Sequence, residues 1–350
     1  MSRLILAVVT LTLCACLGMT RLAVASDWQA LPTPTTGAGH APVRLRVVHA
    51  FNPRFPMLSH AQVEAILKSA ARLAEEHLSL RVQFDTPPTA PLSHLFARVP
   101  EAPRVWLERE RFRGWDDDES VSVLANAFHA SLRRARHSLD ALVEYARPHL
   151  EYGADAPDLW TFMTVLLAHE KHRQEPWLRR ELHDGKPIMH TDGFHEWDRW
   201  AVVGYGELDY DIVITNQLIV GSSRQGSSVH SAIRGSVAVG STFYNLLGAS
   251  DAYAVLSVAP FEDYFAGIRG DGEYAPALRS DLAGAVLAHE LGHLLRRYGH
   301  PYAHAACLMR PTPMFGFRAW YAGLDAKACA ANDAKQMRAG AIPLYRNADW

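Results

Sequence analysis

Five consecutive residues, His289-Glu290-Leu291-Gly292-His293, combine side-chain types and a spacing suited to metal-assisted hydrolysis. On an α-helix, residues i and i+4 lie on one face, a turn apart. Two imidazoles so placed reach a single zinc ion at about 2.0–2.1 Å each. Glu290 follows the first imidazole, where its carboxylate meets an activated water, takes its proton as general base and returns it to a leaving amine. A catalytic zinc takes three protein ligands and keeps one position open. His300 and His304 follow directly as candidates for the third.

The two imidazoles converge only if this stretch is helical. Leu282, Val286, Leu287, Leu291, Leu294 and Leu295 supply an apolar stripe through the motif. Ser280 or Asp281 is the expected N-cap and Gly299 the expected C-terminal stop, which predicts a helix over 280–298. A second stretch, His169-Glu170-Lys171-His172, looks alike, but its histidines are three residues apart. Arg173 stands where a second ligand belongs, so a solvated helical face is expected there. His183, His190 and His195 fall in a loop-like stretch and are expected to be ordinary surface polar residues.

The elements that position the motif lie upstream. Val43–Val48 alternates apolar and basic residues and predicts a strand. Ser59 caps a predicted helix to about His77, and a short strand follows over Leu80–Phe84. Residues from about 100 to 205 are charged and aromatic. They carry two long helical patterns, Ser120–Tyr145 and Pro157–Leu182, and predict a helical insertion whose core includes Trp177, Trp197 and Trp200. Strand character returns at Asp211–Thr215, Gly235–Ser241 and Tyr253–Val258. The glycines flanking the second of these allow another chain to approach closely.

The 350 residues are 49% hydrophobic and 21% charged, an ordinary globular balance compatible with one large domain or two smaller ones. The formal charge of −2 argues against a nucleic-acid binder, which shows a basic face. Residues 1–25 predict an export signal: Arg3, an apolar run from Leu4 to Met19, and the cleavage site Ala23-Val24-Ala25. The expected location is periplasmic or secreted, with no transmembrane segment in the mature chain. The alternative is an outer-envelope lipoprotein, anchored at Cys16 within Leu13-Cys14-Ala15-Cys16. Residues 26–42, rich in Pro, Thr, Gly and Ala, predict a linker. Removal of the signal takes away Arg3 and Arg21 and no acid, so the charge of −2 becomes about −4. It also leaves Cys307 and Cys329, an even pair that predicts one disulfide.

The motif resembles the H-E-x-x-H-x-x-G-x-x-H signature of metzincin zinc peptidases. Arg296 stands at the family's glycine and Gly299 at its third histidine. Glycine therefore comes three residues late and histidine one residue late, and the helix is expected to run further before turning. Cys307-Leu308-Met309 is similar to the Cys-x-Met of archaemetzincins. The resemblance implies that Met309 forms an apolar floor beneath the metal. Measured back from Met309, His300 falls within one residue of that family's third ligand, which places it ahead of His304. The extra cysteines by which archaemetzincins hold a second zinc are not all present, so the Cys307–Cys329 bridge is expected in their place.

The order of predicted elements is also similar to a metzincin catalytic domain over about 43–95 and 205–350. The implied fold is α+β and zincin-like: a mixed twisted sheet with an antiparallel edge strand, an active-site helix and a helical insertion. The catalytic domain would span 43–350, with its insertion at about 100–205 and a C-terminal subdomain at 300–350. The edge strand would carry Gly235, Val237 and Val239 along the cleft and pair with a substrate backbone. Tyr298, Tyr302 and Tyr321 are the candidate hydroxyls for stabilising an oxyanion. The expected activity is zinc-dependent hydrolysis of a peptide or protein substrate. The alternatives are a zincin whose third ligand is a distant acidic residue, and a non-catalytic zinc-binding envelope protein.

Overall fold

The computed structural model of the protein describes residues 41–102, 105, 118–135, 143, 150, 158–189, 194–195, 209–221, 232–244, 252–296, 298, 306–310, 312 and 316–330. The export signal, the linker to residue 40, Cys14 and Cys16 lie outside the described residues, as do Trp197 and Trp200.

The described chain is a mixture of helices and strands, organised on a mostly parallel five-stranded sheet. It begins with β1 (Val43–Leu45) and β2 (Val47–Phe51). The strand expected over 43–48 breaks at Arg46, because the Asp211 carboxylate takes the Arg46 backbone N–H at 2.7 Å and its guanidinium at 2.9 Å. Helix α1 (His60–Leu78) opens on Ser59 in a reciprocal capping box with Gln62 and buries Val63, Ile66, Leu67, Ala70, Leu73 and Ala74. Next come β3 (Val82–Phe84) and β4 (Thr89–Pro91), the latter followed by a short helix, Leu92–Phe96. Sequence patterning missed β4, a three-residue strand of Thr, Ala and Pro with no apolar alternation.

Two long helices follow, α2 (Asp118–Ala135) and α3 (Leu159–Leu178), the latter capped by Asp158. Beyond them lie β5 (Phe194–His195), β6 (Ile212–Thr215), β7 (Ile219–Val220), β8 (Val237–Ala238), β9 (Gly240–Tyr244) and β10 (Ala252–Ser257). The chain then enters α4 (Pro276–Arg296) and ends its described part in two short helices, Phe317–Ala322 and Ala326–Ala330.

The main sheet has the order β4-β2-β6-β10-β9. Its first four strands are parallel, and β9 runs antiparallel along β10 at one edge. Val47, Ile212, Ile214, Ala254 and Leu256 face one side and share a core with α1 and α4. Val48, Ala50, Val213, Tyr253 and Val255 face the other side and pack on Leu92, Leu95 and Val99. Both faces are covered, which explains why β6 reads as an unbroken apolar run with all four residues buried. Smaller pairings join β1 to β3 and join β5, β7 and β8.

Helices α2 and α3 pack on one another around Leu124, Ala125, Phe162, Met163, Leu166 and Leu167, with Ala232 and Ile233 closing the cluster. Trp177 departs from expectation: it is fully buried in the main core rather than in the helical block. The expected solvated face at 169–172 is corrected likewise. His169 and Glu170 are buried, at 2% and 0% exposure, with His169 against the Ile233 carbonyl, while His172 is exposed.

Helix α4 is buried from Leu282 through Gly292, on every side rather than along one stripe. It starts four residues before the expected cap, at Pro276, whose missing N–H costs nothing in a first turn. Ser280 sits inside the helix and bonds back to the Pro276 carbonyl, and Asp281 accepts from Ser69 on α1 at 3.0 Å. The α1–α4 contact is close because residue 284 is glycine. A Cβ there would stand 2.5 Å from Ser69 Cβ and 2.9 Å from the Ile66 carbonyl oxygen. Gly284→Val is expected to destabilise the chain by about 1–3 kcal/mol through overpacking. A urea midpoint unchanged within error would show instead that the two helices part at no cost.

Candidate metal centre

His289, Glu290 and His293 lie together on the last two turns of α4. The imidazoles are nearly perpendicular, with ring centroids 4.6 Å apart and an interplanar angle of 82°. Each is oriented through Nδ1 by a backbone carbonyl: His289 donates to Leu308 at 2.8 Å and His293 to Tyr298. A carbonyl only accepts, so these bonds place the proton on Nδ1 and leave a lone pair on each Nε2. The two Nε2 atoms face each other 3.0 Å apart.

That arrangement tests the fit of a metal directly. Two imidazole nitrogens at this distance can share a proton or a cation. Burial disfavours the proton. It pushes His289 well below the ordinary histidine value, helped by His293 and Arg234, and holds His293 down to about 4. The spacing also fits a divalent cation bound by both nitrogens. A spacing of 3.0 Å is what two ligands at about 2.0–2.1 Å subtend at roughly a right angle. The carbonyl bonds on Nδ1 are the outer interactions that fix tautomer and ring orientation in histidine metal sites. Among the described residues no group of three His, Cys, Asp or Glu gathers around one point. Both third-ligand candidates, His300 and His304, lie outside the described residues, together with Gly299 and Tyr302.

Helix α4 runs three residues past His293 and stops two residues short of the expected end at 298. It ends at Arg296, and the chain turns back at once. The Tyr298 N–H reaches the Gly292 carbonyl at 3.3 Å while its own carbonyl accepts from His293. The His293 Nδ1–H, donating to the Tyr298 carbonyl, ties the residue just past the helix end back onto the helix.

Glu290 is 5% exposed and points at the sheet edge. The Thr242 hydroxyl on β9 lies 2.7 Å from Oε2 and 3.1 Å from the Glu290 carbonyl oxygen. Residue 240 must be glycine for this approach, since a Cβ there would stand 2.9 Å from Glu290 Oε1 and 3.0 Å from Cγ. Gly240 was read from sequence only as one of two glycines that allow close approach, and Thr242 was not singled out. Their signal is the i, i+2 pairing of two small residues on one strand face.

The expected cleft strand is corrected here. Gly235 lies in a turn, where it and Ser236 adopt left-handed backbone with φ 64° and 63°, so extended chain starts later. A Cβ on Gly235 would stand 2.6 Å from Arg173 Cβ on α3. Val237 is in β8, paired with Val220 of β7, and Val239 is a buried kink whose carbonyl accepts from Ser257 at 2.7 Å. The antiparallel edge of the main sheet is Gly240–Tyr244.

Met309 packs against α4 at the motif itself. A Cβ on Gly292 would stand 2.3 Å from Met309 Sδ. Met309, Leu308 and Cys307 are fully buried, and the Met309 N–H approaches Cys307 Sγ at 3.4 Å. Cys329 lies in the helix Ala326–Ala330, with its side chain outside the described ones. Of the candidate tyrosines, Tyr298 packs partly buried against the core, and the Tyr321 hydroxyl is taken by Arg72 of α1 at 3.2 Å.

No protein-family model, curated protein or solved structure matches the chain. The likeness to metzincins therefore rests on the residues themselves.

The depressed histidines carry a stability consequence for the metal-free chain. Unfolded imidazoles take protons near pH 6.5, and the folded ones resist down to about 4 for His293. Between those values the unfolded chain binds more protons, so stability rises with pH and is lost on acidification. The expected loss is up to about 1.4 kcal/mol per pH unit for each imidazole. Urea unfolding of chelator-treated protein at pH 7 and pH 5 checks it, and equal stability at the two would contradict the neutral buried pair.

Proposed function

We propose that the chain is an exported zinc-dependent peptidase of zincin-like fold. The observation that carries this is the pair of Nε2 atoms, one from the buried His289 and one from the partly buried His293, facing each other on the helix that also carries Glu290. His289 and His293 would hold the ion, with His300 as third ligand. The resemblance at Cys307-Leu308-Met309 supports His300 over His304, because His300, measured back from Met309, falls within one residue of the third ligand of archaemetzincins. Zinc, when bound, supplies Lewis-acid activation of water and of the peptide carbonyl. Glu290 takes the proton of the attacking water and returns it to the leaving amine nitrogen. Thr242 holds that carboxylate by Oε2, and Gly240 gives it room against the strand. Met309 fills the space under Gly292 and so braces the turn that carries both histidines.

The sheet supports one catalytic domain over 43–350 with an insertion. Val47 pairs with Ile212 in adjacent parallel strands, and the helical block lies in the sequence between them. A disulfide between Cys307 and Cys329 is supported by the half-cystine state of Cys307 and by the 2.9 Å bond from the Asp325 N–H to the Ala306 carbonyl. Among the described residues no helix is long and apolar enough to cross a membrane. The N-terminal sequence supports export, to the periplasm or beyond, with lipidation at Cys16 as the alternative.

The test is digestion of a denatured protein mixture by the zinc-loaded mature chain beside Glu290→Gln. The variant should keep zinc and lose at least about a hundredfold in rate. Zinc bound by both with no cleavage by either would favour a non-catalytic zinc-binding protein. Zinc content separates the third ligands: His300→Ala should lose the ion and His304→Ala keep it. Retention by both would point to a distant acidic ligand.

A further inference from the structure

Arg234 lies in the turn that leads into β8 and β9. Its Nη2 donates to the Thr312 carbonyl and lies 3.4 Å from the Thr312 hydroxyl, three residues beyond Met309. The side chain therefore spans the two segments that flank the centre, the approach to the edge strand and the turn under the metal ligands. Its Nε is buried with no hydrogen-bond partner, and among the described residues no carboxylate pairs with it. Its charge is close enough to depress His289. A guanidinium does not lose its proton, so a half-buried one beside a cation site needs an anion. The fork geometry of its N–H groups matches a carboxylate.

We propose that Arg234 is a specificity-determining residue that binds a carboxylate of the substrate next to the scissile bond. This rests on the peptidase reading. The chemistry allows two sources, the free C-terminus of a peptide and an acidic side chain within it. Either would complete the charge balance that the two neutral histidines and Thr312 leave unmet. The turn held by Thr312 sets the guanidinium in place before substrate arrives, so recognition requires little reordering.

The experiment measures cleavage of matched peptides by the zinc-loaded mature chain: C-terminal acid against amide, and internal Glu against Gln. Wild type should prefer one acidic form by about tenfold or more, chiefly through KM. The C-terminal pair and the internal pair tell the two sources apart. Arg234→Gln should abolish the preference with zinc content unchanged, and Arg234→Lys should restore part of it. A parallel fall on both members of each pair would assign Arg234 a structural role and overturn the inference, as would a wild type without preference. If wild type cleaves no peptide, the peptidase reading fails, and succinate decides the Arg234 site. Succinate should raise the Tm of the zinc-loaded wild type and not of Arg234→Gln. An equal shift in both, or none, overturns it.

Discussion

Two imidazole N–H groups, that of His289 buried and that of His293 partly buried, must find acceptors at the end of a buried helix, and the arrangement of the centre follows from that requirement. An unsatisfied buried donor costs about 1–3 kcal/mol. Leu308 and Tyr298 answer with backbone carbonyls, one from each of two segments that follow α4. The chain must therefore turn back at 298 and return at 306–310. Burial keeps both rings neutral, the carbonyls fix their tautomers, and the remaining lone pairs are left facing each other.

The same economy of space holds at the sheet edge. Helix α4 is hemmed in by α1 on one side and by β9 and β10 on the other. Glycine at 284 admits α1, glycine at 240 admits the Glu290 carboxylate, and glycine at 292 admits Met309. Each removes a Cβ where two segments would otherwise collide, and close packing leaves no slack to absorb one. The helical block shares in this arrangement. Arg173 of α3 lies over Gly235, and His169 meets the Ile233 carbonyl, so α3 backs the turn from which the edge strand departs. Arg234, in that turn, faces the opposite way, towards Thr312.

Much of this was legible from local pattern. Helix α1 was readable from Ser59 and its apolar spacing, β6 from its β-branched run, and β10 from a largely apolar run stopped by Pro260. The presence of an antiparallel edge strand before β10 was read from the order of elements, but its residues were not: it is Gly240–Tyr244. Gly235 and Val239 read as strand from composition, whereas the left-handed backbone at 235–236 and the kink at 239 depend on α3 and β10. The burial of His169 and Glu170 was hidden for a similar reason. Their polarity suggests solvent, whereas His169 meets the Ile233 carbonyl, more than 60 residues away, and both side chains are buried.

The amino-acid sequence by itself determined the chemistry on offer: two imidazoles and a carboxylate at helical spacing, with a methionine and further histidines downstream. Spacing of that kind is local, and a helix converts it to geometry without outside help. Tertiary structure decided which partners those groups meet. The carbonyls of Leu308 and Tyr298, the hydroxyl of Thr242 and the guanidinium of Arg234 arrive from segments distant in sequence or beyond the helix end. Backbone carbonyls are common to every residue type, so no residue pattern marks the two that matter. They are selected by where the chain must return to satisfy buried donors, and that is a property of the packed whole.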